Sequence, residues 1–247
     1  MDPKIALGIS ACLLGEKVRY DGRHKLDRRL RDGFGQRVRW VPVCPEVECG
    51  LPVLREPIHL VAARGGVRLE TLETGVDLTG RMKAWARKRL AALRAENLGG
   101  FVFKARSPSC GLECVEIHSR SGAVARRGAG LWAAAFTARF PLLPVAEEGR
   151  LRTRAAREDF CRRVFALRRW RDLAARGGTR AALLDFHARH KLLLAAQAPV
   201  LARALEALLA RMGNTRLEAV FDRYGALLAR ALAAAPPGVK ERPRGST

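Results

Sequence analysis

The sequence predicts an α/β domain built on a mostly parallel sheet, followed by a small all-α domain. Three observations carry that expectation. Short apolar runs alternate with helical patterns over residues 1–150, the pattern turns continuously helical from about Arg154, and a chain of 247 residues that is 48% hydrophobic can supply a core to each part.

Lys4 to Ala11 (KIALGISA) is a short apolar run and Arg37 to Val43 (RVRWVPV) a second; both read as strands and both run directly into a cysteine. Between them the stretch HKLDRRLRDGF suits a brief helix. Ile58 to Ala62 and Val67 to Leu72 flank Arg64-Gly65-Gly66 and read as a hairpin peripheral to the main sheet. Thr79 is placed to cap a helix in which Met82, Trp85, Ala86, Arg89, Leu90 and Leu93 fall at helical spacing. Asn97-Leu98-Gly99-Gly100 ends it, GFVFKA resumes as a strand, and SPSCG follows at once. GLWAAAFTARF and LLPVAEE give one more helix and strand, which completes a Rossmann-like alternation. From residue 155 to 235 the chain reads as helices broken near Gly177-Gly178 and Gly213-Asn214, with Pro199 dividing the long middle segment. Residues 236–247 have no apolar periodicity and are expected to be disordered.

The 46 Lys and Arg against 24 Asp and Glu leave a net charge of +22, far beyond what solubility requires, so a polyanionic partner is the first to consider. The last 97 residues, with 20 basic and 8 acidic, are the denser in charge. There is no run of about 18 uncharged apolar residues, and the N-terminus lacks the features of a signal peptide. A cytoplasmic protein without a membrane partner is expected, whose six cysteines are thiols or metal ligands rather than disulfides.

Cys12, Cys44 and Cys110 share a context: each follows a predicted strand and leads into loop residues. In an open parallel α/β sheet such loops converge beyond the carboxyl ends of the strands, so three thiolates widely separated in sequence can meet. They suit a zinc with one further ligand or an iron–sulfur cluster with one iron left open, and the plain alternative is three buried thiols packed as small hydrophobes.

The longer strings SACLLGEKVRYDG (Ser10 to Gly22), PVCPEVECGLPVLREP (Pro42 to Pro57) and KARSPSCG (Lys104 to Gly111) resemble, in order and spacing, the signature blocks of the 2-thiouracil desulfurase family. The resemblance implies a [4Fe-4S] cluster held by Cys12, Cys44 and Cys110, with one iron not bound by protein and open to a thiocarbonyl sulfur. Glu46 matches the family's catalytic glutamate and Ser107 its active-site serine; otherwise Glu46 is a capping or solvated carboxylate and Ser107 a turn residue before Pro108. Ser10, Ser109 and Lys104 are candidates to contact the substrate or cluster sulfurs, Lys104 having an acidic core partner as its alternative. Arg19, Tyr20 and Asp21 either shape the pocket or form an ordinary turn. Cys49, Cys114 and Cys161 fall outside the motif positions, and substitution of Cys49 or Cys114 as a ligand stays open.

In the helical part, DFHARHKLLL (Asp185 to Leu194) resembles the core signature of the YbgA-like domain, over Phe160 to Ala235. His187 and His190 share a helical face, and a structural or RNA-contacting role is favoured over metal. Arg168, Arg169, Arg189 and Lys191 are expected to contact phosphates, with Trp170 and Phe186 interleaved for stacking. The two parts together resemble the tRNA 4-thiouridine desulfidases, which implies thiolated tRNA as substrate, with uridine and sulfide as products. A small thiolated pyrimidine such as free 2-thiouracil is the alternative substrate. A non-enzymatic iron–sulfur protein that binds RNA or senses redox state is the other reading.

Overall fold

The computed structural model describes residues 4–213 and 215–234, so the expected tail and Asn214 lie outside the described residues. The chain divides into two compact units, Met1–Cys161 and Arg162–Thr247.

The first unit holds a four-stranded, wholly parallel sheet: β1 (Ile5–Ser10), β2 (Val38–Val43), β5 (Gly100–Phe103) and β8 (Val145–Glu147), in the order β2-β1-β5-β8. All six residues of β1 and all four of β5 are buried, as continuous apolar runs in parallel strands should be. Gly8 is required at the centre, because a Cβ there would stand 2.1 Å from the Phe101 ring. That ring belongs to an aromatic cluster with Phe103, Trp132 and Phe136, the last two on helix α4 (Leu131–Arg139).

The short helix α1 (Arg28–Gly33) starts at Asp27, whose carboxylate accepts the Arg29 and Leu30 N–H groups. Helix α2 (Pro45–Glu48) follows β2. Helix α3 (Thr79–Ala95) buries Met82, Ala86, Leu90 and Leu93. Its start differs in detail from expectation: Thr79 is already helical, its N–H is taken by Asp77 Oδ1 at 2.8 Å, and its hydroxyl accepts the Leu69 N–H at 2.9 Å.

The hairpin around Gly65-Gly66, β3 (Ile58–Ala63) with β4 (Gly66–Thr71), is part of more than was expected. It joins a second hairpin, β6 (Val115–His118) with β7 (Val124–Gly128), in a mixed sheet ordered β4-β3-β6-β7. Leu60, Leu69, Val115 and Ile117 give this sheet one apolar face, packed with Met82 and Leu78.

Helix α5 (Arg154–Ala175) leads into the second unit, which contains α6 (Arg180–Gln197), α7 (Pro199–Ala210) and α8 (Leu217–Ala233). Pro199 occupies the first turn of α7, where its missing N–H costs nothing. Trp170 stacks on Phe221 with centroids 5.3 Å apart and also meets Phe186 and Tyr224; Gly225 makes room for its indole.

Candidate functional site

The chain leaves β1 on one side for β2 and returns on the other for β5, so the strand order reverses between β1 and β5. Loops beyond the carboxyl ends of strands at such a reversal enclose a crevice. Here it is a cavity of about 330 Å³, lined by Ser10, Cys12, Cys44, Glu46, Lys104, Ser107 and Cys110 among others.

Each loop presents its cysteine for a local reason. After Ser10 the chain makes a 3-10 turn over Ala11–Leu14, closed by Gly15 at φ 99°, and Cys12 sits within it. Cys44 precedes α2, with Pro45 at the first helical position; the Cys44 N–H is held by Glu48 Oε1 at 2.9 Å. Beyond β5, the Ser107 hydroxyl oxygen accepts the N–H groups of Ser109 and Cys110 at 3.2 and 3.0 Å, folding SPSC into a turn. The start of α4 seals that turn from behind: the Trp132 and Ala133 N–H groups donate to the Ser109 carbonyl, and a Cβ on Gly130 would stand 2.5 Å from the same oxygen.

Burial pushes the Cys12 thiol up to about 12 and Cys44 to about 11; Cys110 is raised well above its ordinary value, again by burial, against a hydrogen bond from the Ser10 hydroxyl. Cys12 is raised further by Cys44, and Cys110 by Glu46, Cys12 and Cys44, so the three thiols lie within one another's field. Three thiolates assembled this way need a cation among them. Among the described residues no three His, Cys, Asp or Glu side chains close on one point as a single ion demands. Cys12, Cys44 and Cys110 nevertheless line one cavity, and thiols are the soft donors that zinc and iron–sulfur centres take. The buried Arg55 Nε, on the same cavity wall, has no hydrogen-bond partner among the described residues, as expected where a bound group or water completes the site.

Glu46 is held from two sides. Its Oε2 pairs with Arg55 and its Oε1 accepts the hydroxyl of Ser109, a fully buried residue, at 3.1 Å. Arg55 is fixed in turn by the carbonyls of Pro52, Val53 and Val18 at 2.8–3.0 Å. Sequence reasoning missed Arg55; its place in the block PVLREP was the available signal. Lys104 lines the cavity, but its ammonium pairs with Glu148 and donates to the Ala105 carbonyl, while its N–H donates to Ser10 Oγ at 3.0 Å. Arg19 and Tyr20 also line the cavity; Arg19 pairs with Asp21 at 3.3 Å. Cys49 is not on the cavity wall, and its Sγ contacts the Glu46 carbonyl at 3.2 Å. Cys161 is buried and Cys114 exposed, both away from the cavity lining.

In the second unit, Arg169, Arg189 and Lys191 are exposed and Arg168 is half-buried. Arg168 pairs with Asp172, Arg189 with Asp185 and Lys191 with Glu206, at 2.9, 3.0 and 3.1 Å. The expected stacking role of Trp170 and Phe186 is corrected: both are buried in the unit's aromatic core, where Trp170 stacks on Phe221, Phe186 stacks on His190, and both meet Tyr224. His187 and His190 are buried, and each has a hydrogen-bond partner within the unit. His187 Nδ1 lies 2.9 Å from the Tyr224 hydroxyl, and His190 Nδ1 donates to the Phe186 carbonyl at 2.7 Å.

No helix among the described residues is long and apolar enough to cross a membrane. A family model described as 2-thiouracil desulfurase matches residues 7–148. The uncharacterized protein YbbK of Bacillus subtilis (strain 168) is 31% identical over 108 residues, spanning 42% of this chain and 71% of its own. A solved structure named [4Fe-4S]-dependent thiouracil desulfidase TudS is 32% identical, with 60% of this chain and 93% of that one covered at a TM-score of 0.47.

Proposed function

The chain belongs to the 2-thiouracil desulfurase family, and from that premise we propose that it is a [4Fe-4S]-dependent desulfidase that removes sulfur from 4-thiouridine in tRNA, giving uridine and sulfide. The observation that carries the desulfidase chemistry is the gathering of Cys12, Cys44, Cys110, Glu46 and Ser107 on one cavity. The charge of +22, densest in the helical part, supports RNA over a free base.

In the reaction, water adds to the thiocarbonyl carbon, its oxygen becomes the new carbonyl oxygen, and the C–S bond breaks with sulfur leaving as sulfide. Cys12, Cys44 and Cys110 would hold the cluster, and an iron not bound by protein would supply a Lewis acid soft enough for that sulfur. Glu46 takes a proton from the attacking water, and its bonds to Arg55 and Ser109, which hold the carboxylate at the cavity, support that role. Ser107 uses its oxygen on two backbone N–H groups, which leaves its hydroxyl proton free to orient the pyrimidine. Ser10 braces Cys110 and the Lys104 backbone, and Lys104 balances Glu148 at the cavity edge. The 4-thiouridine base must leave its stack to reach the cavity. Arg168, Arg169, Arg189 and Lys191 are the proposed phosphate contacts of the YbgA-like helical part.

A second substrate is favoured by the cavity itself: about 330 Å³ lies at the small end of the usual range for ligand pockets, roughly 300–1,000 Å³, and suits a free pyrimidine such as 2-thiouracil. Anaerobic reconstitution with iron and sulfide, followed by incubation with 4-thiouridine-containing tRNA and separately with 2-thiouracil, decides between them. Loss of the thiouridine absorbance from tRNA alone supports the RNA substrate, turnover of 2-thiouracil alone supports the free base, and turnover of neither sinks both.

A further inference from the structure

We propose that α3, in the same unit as the cysteine cavity, is a docking track for the sugar–phosphate backbone of the RNA substrate. The inference rests on the RNA reading above and adds where the RNA lies. Over Thr79–Ala95 the helix carries Arg81, Lys83, Arg87, Lys88, Arg89 and Arg94 and no acidic residue. Arg89 is committed to the fold: its Nε pairs with Glu48 at 3.1 Å and it donates to the Pro42 carbonyl. The other five are exposed, and none forms an ion pair or side-chain hydrogen bond among the described residues. Asp77, within reach of Lys83 electrostatically, is paired to Arg68 at 3.7 Å, and Glu96, just past the helix, is paired to Arg39 at 2.6 Å.

Their arrangement is ordered. At roughly 100° per residue, Lys83, Arg87 and Arg94 fall within roughly 40° of one another, and Arg81 and Lys88 within roughly 20°. The two rows stand roughly 130° apart, with Ala84, Ala91 and Ala95 between them and Met82, Ala86, Leu90 and Leu93 buried on the opposite side. The exposed face is therefore a floor of small side chains between two basic rows that extends roughly 20 Å from Arg81 to Arg94. Like charges along one helix repel each other, and a solvated face normally interleaves acids to relieve this; here a polyanion would do so. The alanine floor lets a backbone approach closely and offers no bulky apolar side chain to enter a lipid layer.

The track also reaches the site. Arg81 lies close enough to Cys49 to lower its thiol against the effect of burial. Through Arg89 and Glu48 the helix is tied to the Cys44 N–H, so α3 abuts the segment that carries Cys44 and Glu46. Backbone phosphates on α3 would thus position the strand without reading its sequence, which suits an enzyme whose selectivity comes from the sulfur.

The test uses the full-length reconstituted protein carrying Lys83→Glu, Arg87→Glu and Lys88→Glu together, with the matching triple Gln variant as a milder control. Binding of 4-thiouridine-containing tRNA is measured against salt. The expected result is at least a tenfold rise in Kd and a salt slope shallower by roughly two to three for the Gln variant, about one for each phosphate no longer neutralised, with a larger effect for Glu. Iron content and thermal midpoint should match the wild type, showing that the fold is intact. Unchanged Kd and slope in both variants would overturn the track while leaving the RNA substrate standing. Failure of the wild type to bind tRNA would sink the RNA reading and the track with it. Loss of binding to anionic vesicles with tRNA binding unaffected would overturn the proposal in favour of a membrane surface.

Discussion

Arg55 and Glu46 form an ion pair on the wall of the cysteine cavity, with 5% of the arginine side chain and 16% of the glutamate side chain exposed. The pair is asymmetric. Arg55 is tied down by three backbone carbonyls, so the glutamate adapts to the arginine and not the reverse. A carboxylate aimed by a rigid planar donor keeps one oxygen for Arg55 and the other for Ser109, which fixes the direction from which it can take a proton.

Arg55→Met should therefore lower kcat by about 10- to 100-fold while iron content is retained, because the ligand cysteines are untouched and only the base is misdirected. Breaking a mostly buried pair also costs about 2–4 kcal/mol of stability, readable as a lower thermal midpoint. Arg55→Lys keeps the charge but not the forked geometry, and is expected to recover only part of kcat. A variant with full turnover would show that Arg55 does not position Glu46.

Glu46→Gln should keep the cluster spectrum and lose turnover by about 10²–10⁴-fold, the usual contribution of a general base. Ser109→Ala removes one charge-assisted hydrogen bond to Glu46, worth about 1.5–3 kcal/mol, so a smaller fall in kcat is expected, about tenfold or somewhat more. If Ser109→Ala exceeded Glu46→Gln in effect, the glutamate would not be the base.

Cys12→Ala, Cys44→Ala and Cys110→Ala should each abolish iron retention, measured as iron per chain after anaerobic reconstitution and desalting. Cys49→Ala should bind iron as the wild type does, since its thiol contacts the Glu46 carbonyl and is not on the cavity wall. Loss of iron in Cys49→Ala with retention in Cys44→Ala would exchange their roles.

That Cys12, Cys44 and Cys110 line one cavity was legible because parallel strands deliver their C-terminal loops to one end of the sheet, whatever the sequence distance. Arg55 was not, because its grip on Glu46 depends on the path of an irregular loop, which no periodicity encodes. The β6–β7 hairpin was missed for a related reason. Val115–His118 is only four residues long and pairs both with β7 and with the distant β3, and the alternation of Val115 and Ile117 with polar neighbours is too short to mark a strand by itself. In the helical unit the basic residues were visible, but Trp170 and Phe186 looked available for stacking; their fit against Tyr224, Phe221 and Gly225 emerges only in three dimensions.

His187 and His190 give the helical unit an acid-sensitive core. Burial lowers both imidazoles below their ordinary value; at His187 Glu206 opposes this and Lys191 adds to it, and at His190 the hydrogen bond to the Phe186 carbonyl opposes it while Arg169 and Arg189 add to it. In the folded state each ring stays neutral where an unfolded one, near 6.5, would already take a proton. The unfolded chain then binds more protons, so the contribution of these two rings to stability is complete above about pH 6.5 and is lost as pH falls from there through the depressed folded values. The thermal midpoint of α6 to α8, followed by the near-ultraviolet signal of the Trp170–Tyr224 contact, should fall between pH 7 and 5. His190→Gln should flatten that dependence without the loss of the Tyr224 hydrogen bond that His187→Gln would cause, so the pair separates titration from packing. A midpoint that holds steady from pH 7 to 5 in the wild type would mean that the two histidines are protonated at no cost within the folded core.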